Sequence, residues 1–262
     1  MSIIYINPYQ FAAFDPDALT YISAVETADG QALESGVRVA INDFVLGCKQ
    51  DGIWNAIKAS CILAGARTLT GALVPLVGTA PTNNNFVGAD YDRETGLVGN
   101  GSTKYLDSNR NNNADPQNSN HHSVYVTATP ATPSNSIYIG AGVNTNESGV
   151  TNFGTLSNGS MFFRNRSSAF SSLLGAATAV GFVGSDRSGS ASFITRVSGG
   201  NTVQAIASQT PYNGKVFVFS TTNGVIPTAC RLSFYSIGES LDLAKLDTRV
   251  SNLITAIDAA IP

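Results

Sequence analysis

His121 and His122 are the only imidazoles in the chain, and they are adjacent. They stand just before the β-like run Ser123-Val124-Tyr125-Val126-Thr127. Successive strand residues point to opposite faces, so the pair is poorly placed to share one metal ion. No Gly-x-Ser-x-Gly elbow supplies a serine for them to activate. The glycine-rich stretches lack the Gly-Lys-Ser/Thr of a phosphate loop. Both histidines therefore read as structural. Glycoside hydrolysis needs two carboxyl groups roughly 5 to 10 Å apart. The β-rich region offers few: Asp90, Asp92, Glu94, Asp107, Asp115, Glu147, Asp186 and Glu239. Asp90-x-Asp92-x-Glu94 has oxygen donors of the kind calcium takes, but no flanking loop consensus, and reads as a solvated turn. Cys48, Cys61 and Cys230 form no Cys-x-x-Cys pair, and an odd, sparse set makes no disulfide framework. Cys48 and Cys61 read as buried small hydrophobes on helix faces. No catalytic, cofactor-binding or metal-ligating residue is expected.

Sugar recognition asks for less: a stacking aromatic and neutral hydrogen-bonding groups on a concave surface. The loops supply Asn109 to Asn113, Asn118, Asn120, Asn144, Asn146, Tyr91 and Tyr212. Of these, Tyr91, Asn111, Asn113 and Tyr212 are the candidate glycan contacts.

The elements that must carry these groups change character along the chain. Residues 1–14 mix Pro8 with Tyr9, Phe11 and Phe14 and read as an extended arm. Its aromatics pack either on the chain's own domain or on a neighbour. Asp15-Pro16 signals a helix start, and Asp29-Gly30 its stop. A second helix carries Leu33, Val37, Ile41, Phe44 and Cys48 and breaks at Asp51-Gly52. A third is expected from Ile53, Ile57, Cys61 and Ala64. Residues 15–75 thus form a helical attachment segment.

From there short β-rich runs alternate with turn signals: residues 123–127, 136–139, 161–163, 192–197, 203–206, 216–219 and 232–235. Asn-Gly pairs at Asn100, Asn158, Asn213 and Asn223 suit tight turns, and Ser198-Gly199-Gly200-Asn201 marks a hairpin. The pattern predicts an antiparallel β-sandwich of jelly-roll type over residues 76–262. Residues 109–120 read as a surface loop. The chain closes on a helix from about Ser240, capped by that serine, to Ala260. Its stripe of Leu246, Val250, Leu253 and Ile257 suits either a contact between subunits or packing on its own sandwich.

Composition narrows the classes. Of the 262 residues only 13% are charged, and the net charge is -3. A phosphate-neutralising surface is not expected, so nucleic acid is a poor partner. No run approaches 18 uncharged apolar residues, so membrane insertion is not expected. The start Met1-Ser2-Ile3-Ile4-Tyr5-Ile6-Asn7-Pro8 lacks the basic and apolar regions of a signal peptide, and synthesis in a cytosol is expected.

Two segments together resemble concanavalin A-like (laminin-G-like) lectin domains. One is Leu97-Val98-Gly99-Asn100-Gly101-Ser102-Thr103-Lys104-Tyr105-Leu106, similar to the strand–turn–strand that begins such a sandwich. The other, Arg231-Leu232-Ser233-Phe234-Tyr235-Ser236-Ile237-Gly238-Glu239-Ser240-Leu241, is similar to the closing strand and the helix start. With its helical preface the whole chain resembles virion proteins of tailed bacteriophages. That resemblance implies a non-enzymatic structural role in the virion, in a tail fibre or baseplate appendage. Capsid cement or decoration is the alternative. It implies other virion proteins as partners, a homo-oligomer with a trimer favoured, and a host-surface glycan as a target. A polysaccharide-degrading hydrolase or lyase, and a soluble lectin, are the competing classes.

Overall fold

The computed structural model describes residues 14–143 and 147–262. The calls on Tyr9, Phe11, Asn144 and Asn146 lie outside the described residues. The Asp15 side chain accepts from the Asp17 amide at 2.9 Å, and α1 (Pro16–Asp29) starts there with proline in its first turn. Gly30 at φ 65° ends it, a left-handed conformation that costs glycine little. Helix α2 (Ser35–Gln50) follows.

The third helix does not form. Trp54–Ala56 make a single tight turn, and Ile57–Ile62 are strand β1. The reason lies in what surrounds this strand. Ile57 and Ile62 join a core beneath the helices, while Ala59 and Cys61 join a second core between the sheets. A strand apolar on both faces carries no alternation, and the four-residue spacing of Ile57 and Cys61 imitates a helix. The sandwich therefore begins inside the segment read as helical.

A short helix α3 (Leu69–Ala72) leads into β2 (Thr82–Asn84), β3 (Tyr91–Asp92), β4 (Gly96–Val98) and β5 (Tyr105–Asn111). Then come β6 (Asn120–Ala128), β7 (Ser136–Ala141), β8 (Thr151–Thr155), β9 (Met161–Arg164) and β10 (Ser171–Leu173). The series ends with β11 (Gly181–Arg187), β12 (Phe193–Val197), β13 (Gly200–Gln204), β14 (Lys215–Val218) and β15 (Arg231–Gly238). The first sheet runs β13-β12-β11-β6-β15-β4-β3, with β1 also on β15; the second runs β10-β9-β8-β7-β14-β5-β2. Every strand pairing is antiparallel. The hairpin at Ser198-Gly199 joins β12 to β13 as expected. Asn223 and Gly224, at φ 54° and 85°, have the paired positive φ of a type I′ turn. The strands β4 and β5, on either side of Asn100-Gly101, belong to different sheets, so that segment crosses the sandwich.

The result is three layers: helices, first sheet, second sheet. On β6, Val124 and Val126 point between the sheets while Tyr125 packs toward the helices. On β15, Phe234 joins the helical core, while Leu232, Tyr235 and Ile237 join the other. Residues 109–120 are not simply a loop. Asn111 still belongs to β5, Asn120 opens β6, and Asn112 and Asn120 are buried.

Helix α4 (Leu243–Ala260) is capped by Asp242, whose carboxylate accepts from the Ala244 amide at 2.8 Å. Ser240 is not the cap; its hydroxyl donates to Asp186 Oδ2 at 3.0 Å. Leu246, Val250, Leu253 and Ile257 are all buried within the chain, in the core shared with α2 and the first sheet. The stripe serves the chain's own packing rather than a surface offered to another subunit. Val250→Asp should thus place an unpaired charge in that core and cost at least about 3 kcal/mol. Denaturant unfolding checks this; a variant of unchanged stability with altered sedimentation would contradict it.

Candidate functional site

The second sheet turns one face to the first sheet and the other outward. On β9, Phe163 points inward against Phe153, with ring centroids 5.3 Å apart. Its neighbours Phe162 and Arg164 take the outer face, because strand residues alternate. There they meet Phe170, whose ring stands at 84° to that of Phe162 with centroids 6.3 Å apart. Ile137, Val143 and Ile226 complete a cup of about 210 Å³. Phe170 is 47% exposed, whereas Arg164 is 8% exposed. The guanidinium carbon lies 5.6 Å from the Phe162 centroid and 5.2 Å from that of Phe170, within cation–π range. Arg164 Nε donates to Ser168 O at 3.1 Å, and Nη1 to Asn152 Oδ1 at 3.4 Å. No ion pair to Arg164 is present among the described residues. Burial lowers its proton affinity, and no carboxylate offsets the shift.

Three larger hollows flank the helices; the one at the end of α1, of about 420 Å³, holds Glu26, which is paired with Arg38 at 3.3 Å. In the one between α2 and α4, of about 400 Å³, Arg249 is already paired with Asp51 at 2.7 Å. In the one between α1 and β1, of about 460 Å³, Lys58 is paired with Glu239 at 3.0 Å. The arginine and the lysine that line these two are ion-paired, whereas the buried Arg164 of the cup has no ion pair among the described residues.

Three of the four expected glycan contacts meet at one end of the sandwich. Asn111 is exposed at the end of β5, and Asn113 Nδ2 donates to Asn213 Oδ1 at 3.1 Å. Asn112 Nδ2 donates to the carbonyls of Gly149 at 3.1 Å and Tyr212 at 3.2 Å. Tyr212 is half-buried, with part of its ring packed against the core between the sheets. Tyr91 stands apart, on the edge strand of the first sheet. Its hydroxyl donates to Ala66 O at 2.8 Å, and burial pushes its proton affinity up. It is a tether, not a free stacking face. Phe14 is half-buried against the helical core.

The asparagine-rich end rests on a buried cation that composition did not announce. Arg166, fully buried, donates through Nη1 to Asn112 O and through Nη2 to Asp115 O at 3.2 Å. The Asp115 carboxylate is held by Arg110, at 2.5 Å from Nη2 and 3.1 Å from Nε. Burial lowers Arg166 to about 10. Arg187, also fully buried, gives Nε and Nη2 to Asn165 O at 3.1 and 2.7 Å.

The groups first weighed for chemistry have other work. Asp92 accepts from the Glu94 and Thr95 amides at 3.1 and 2.8 Å, and Asp90 is paired with Lys104. Among the described residues no cluster of three or more His, Cys, Asp or Glu side chains is set to hold a metal. Burial pushes the thiols of Cys48 and Cys61 up to about 12, so both are poor nucleophiles at neutral pH. Cys61 lies on a strand rather than the expected helix face. The two histidines do face opposite sides. His121 donates from Nδ1 to Glu239 O at 2.6 Å, with Nε2 2.6 Å from Ser236 Oγ; His122 lies between the sheets, opposite Ser185. Burial lowers His121 to about 4 and His122 further. Asp186, beside His121 on β11, is raised by burial to about 6 while it holds the Leu241 amide at 2.8 Å.

With that geometry in hand the chain can be set beside known proteins. No protein-family model matches it, and no curated protein matches its sequence. Among solved structures it is similar to the botulinum neurotoxin serotype D binding domain, at 11% identity and a TM-score of 0.50. The likeness covers 76% of this chain and 52% of that one. This chain is an antiparallel β-sandwich of jelly-roll type. It spans about half the length of the binding domain it matches. Domain 4 of AbnA, a GH43 extracellular arabinanase from Geobacillus stearothermophilus solved with arabinotriose, is similar at 10% identity and a TM-score of 0.44, over 66% of this chain and 82% of that one. The binding domain of botulinum neurotoxin DC, solved in complex with SialylT, is similar at 13% identity and a TM-score of 0.40, over 57% and 39%.

Two outcomes follow from the buried charges. Arg166→Leu leaves the Asn112 and Asp115 carbonyls without their donor and should cost about 2 to 4 kcal/mol. Amide exchange should rise over residues 111–115; unchanged stability and exchange would contradict this anchoring. The second outcome concerns acid. Unfolded histidines take up protons below about pH 6.5, whereas buried His121 waits until about pH 4, so folding loses stability across that window. Asp186 acts in reverse, because its folded form is protonated first. Two histidines against one aspartate leave a net loss from pH 7 to pH 4, at up to roughly 1.4 kcal/mol per pH unit. Denaturant midpoints at pH 7, 6 and 5 should fall in that order; midpoints that rise on acidification would overturn the assignment.

Proposed function

We propose that this protein is a non-catalytic structural component of a phage virion, of tail-fibre or baseplate-appendage type, whose β-sandwich adheres to a host-surface glycan. The observation that carries the adhesive part is the cup on the outer face of the second sheet. Phe170 offers a sugar ring an open apolar face, and the strand beside it is buried along its length. A stacking aromatic beside a preformed apolar pocket is the ordinary arrangement for sugar binding. The fold likeness to a toxin binding domain supports an adhesive rather than a catalytic use of the sandwich. The virion part rests on the resemblance of the helical preface and on composition. Low charge with abundant neutral polar groups suits a surface present at high local copy number.

Calorimetric titration with host envelope polysaccharide tests the adhesive part. Saturable binding is expected, weakened at least tenfold by Phe170→Ala with unchanged melting temperature and with no new reducing ends. Binding that survives Phe170→Ala would remove the cup from the account. New reducing ends abolished by a single Asp or Glu substitution would make the protein an enzyme. Immuno-electron microscopy of intact particles tests the virion part, with label expected at the tail and none on particles as the contrary result.

A further inference from the structure

Arg164 is more than nine-tenths buried, yet it has no carboxylate partner among the described residues. Guanidinium offers five hydrogens. Nε and one hydrogen of Nη1 are used on Ser168 and Asn152. The remaining three belong to Nη1 and Nη2. Phe162 and Phe170, nearly perpendicular to one another, each stand within cation–π range of the group on one side, so the two rings flank it without supplying a counter-charge. A buried cation is costly unless something of opposite charge completes it. The partner that fits a planar fork is a carboxylate or another flat oxyanion, bound through two parallel hydrogen bonds.

The cup says more about that partner. Apart from Arg164 its lining is mainly apolar and aromatic, from Ile137, Phe162, Phe170 and Ile226, with Asn135 and Ser136 as its uncharged polar members. At about 210 Å³ it takes one compact ring rather than a chain of residues. The half-exposed face of Phe170 stands ready for the C–H face of such a ring. An acidic peptide side chain would satisfy the cation but leave the aromatic face idle. We infer that the cup binds a single acidic sugar residue, its carboxylate on Arg164 and its ring against Phe170. This rests on the adhesive reading above and narrows it from glycans in general to carboxylate-bearing ones.

The test compares methyl β-D-glucuronide with methyl β-D-glucoside, which share a ring and differ at the carboxylate. Titration of the 262-residue chain, followed by NMR shifts or calorimetry, should show the glucuronide binding at least tenfold tighter. The preference should weaken as salt is raised. Arg164→Gln should bring the ratio close to one, Arg164→Lys should keep part of it, and Phe170→Ala should weaken both sugars alike. Equal binding of the two sugars by the wild-type protein would overturn the inference and leave glycan adhesion standing. Binding of neither sugar, nor of envelope polysaccharide, would overturn both. Acetate or an aspartate-rich peptide binding as tightly as the glucuronide would show a carboxylate site without sugar recognition, and would also overturn it. Should Arg164→Gln fail to fold, the wild-type comparison and its salt dependence still decide.

Discussion

The centre of the first sheet is covered on both faces, and the rest of the molecule is arranged around that fact. Its central pair, β6 and β15, has no solvent side on which to discard a polar residue. Each successive side chain must enter one core or the other. Phe234 goes to the helices and Tyr235 to the sandwich, and each such burial contributes about 1.5 to 3 kcal/mol. The helices are therefore a lid that the sheet requires, more than a separate attachment unit. The polar groups that do enter are tied down locally, as His121 is to Glu239 and Ser236. Double coverage on one side leaves the second sheet as the layer with an outward face, and its cup lies there.

The sequence was most legible where physics is local. Asp15-Pro16 and Gly30 bound α1 through a cap, a proline and a positive φ, none of which depends on tertiary context. The seven β-like runs all overlap strands because turn residues bracket them, although Ala205 and Ile206 of the run 203–206 lie past the end of β13. Legibility failed where burial is two-sided. Ile57–Ile62 read as helix since a strand buried on both faces shows no period of two. Ser240 was a sound cap in isolation, but Asp186 on a distant strand takes its hydroxyl and leaves the capping to Asp242. The stripe on α4 was readable as apolar. Only the packing of α2 and the sheet against it decided which surface it covers.

The candidate surfaces were half legible. Asparagine and tyrosine types pointed to the end of the sandwich that holds Asn111, Asn113 and Tyr212, yet Tyr91 proved to be a tether. The cup was missed, although Met161-Phe162-Phe163 had been read as a strand. Alternation alone would put Phe162 and Arg164 together on the face opposite Phe163, an arginine beside an aromatic on one side of a sheet. Phe170 lies beyond the end of that strand, and no local rule brings it back. Arg166 was equally hidden, because its partners Asn112 and Asp115 are carbonyls more than fifty residues away.

A crystal structure of the protein with an acidic oligosaccharide tests the central claim most directly. Density for one sugar ring lying on Phe170, with both carboxylate oxygens on the Arg164 guanidinium, is the outcome this account requires. An oligosaccharide seated elsewhere on the sandwich, with the Phe162–Arg164–Phe170 cluster untouched, would contradict it.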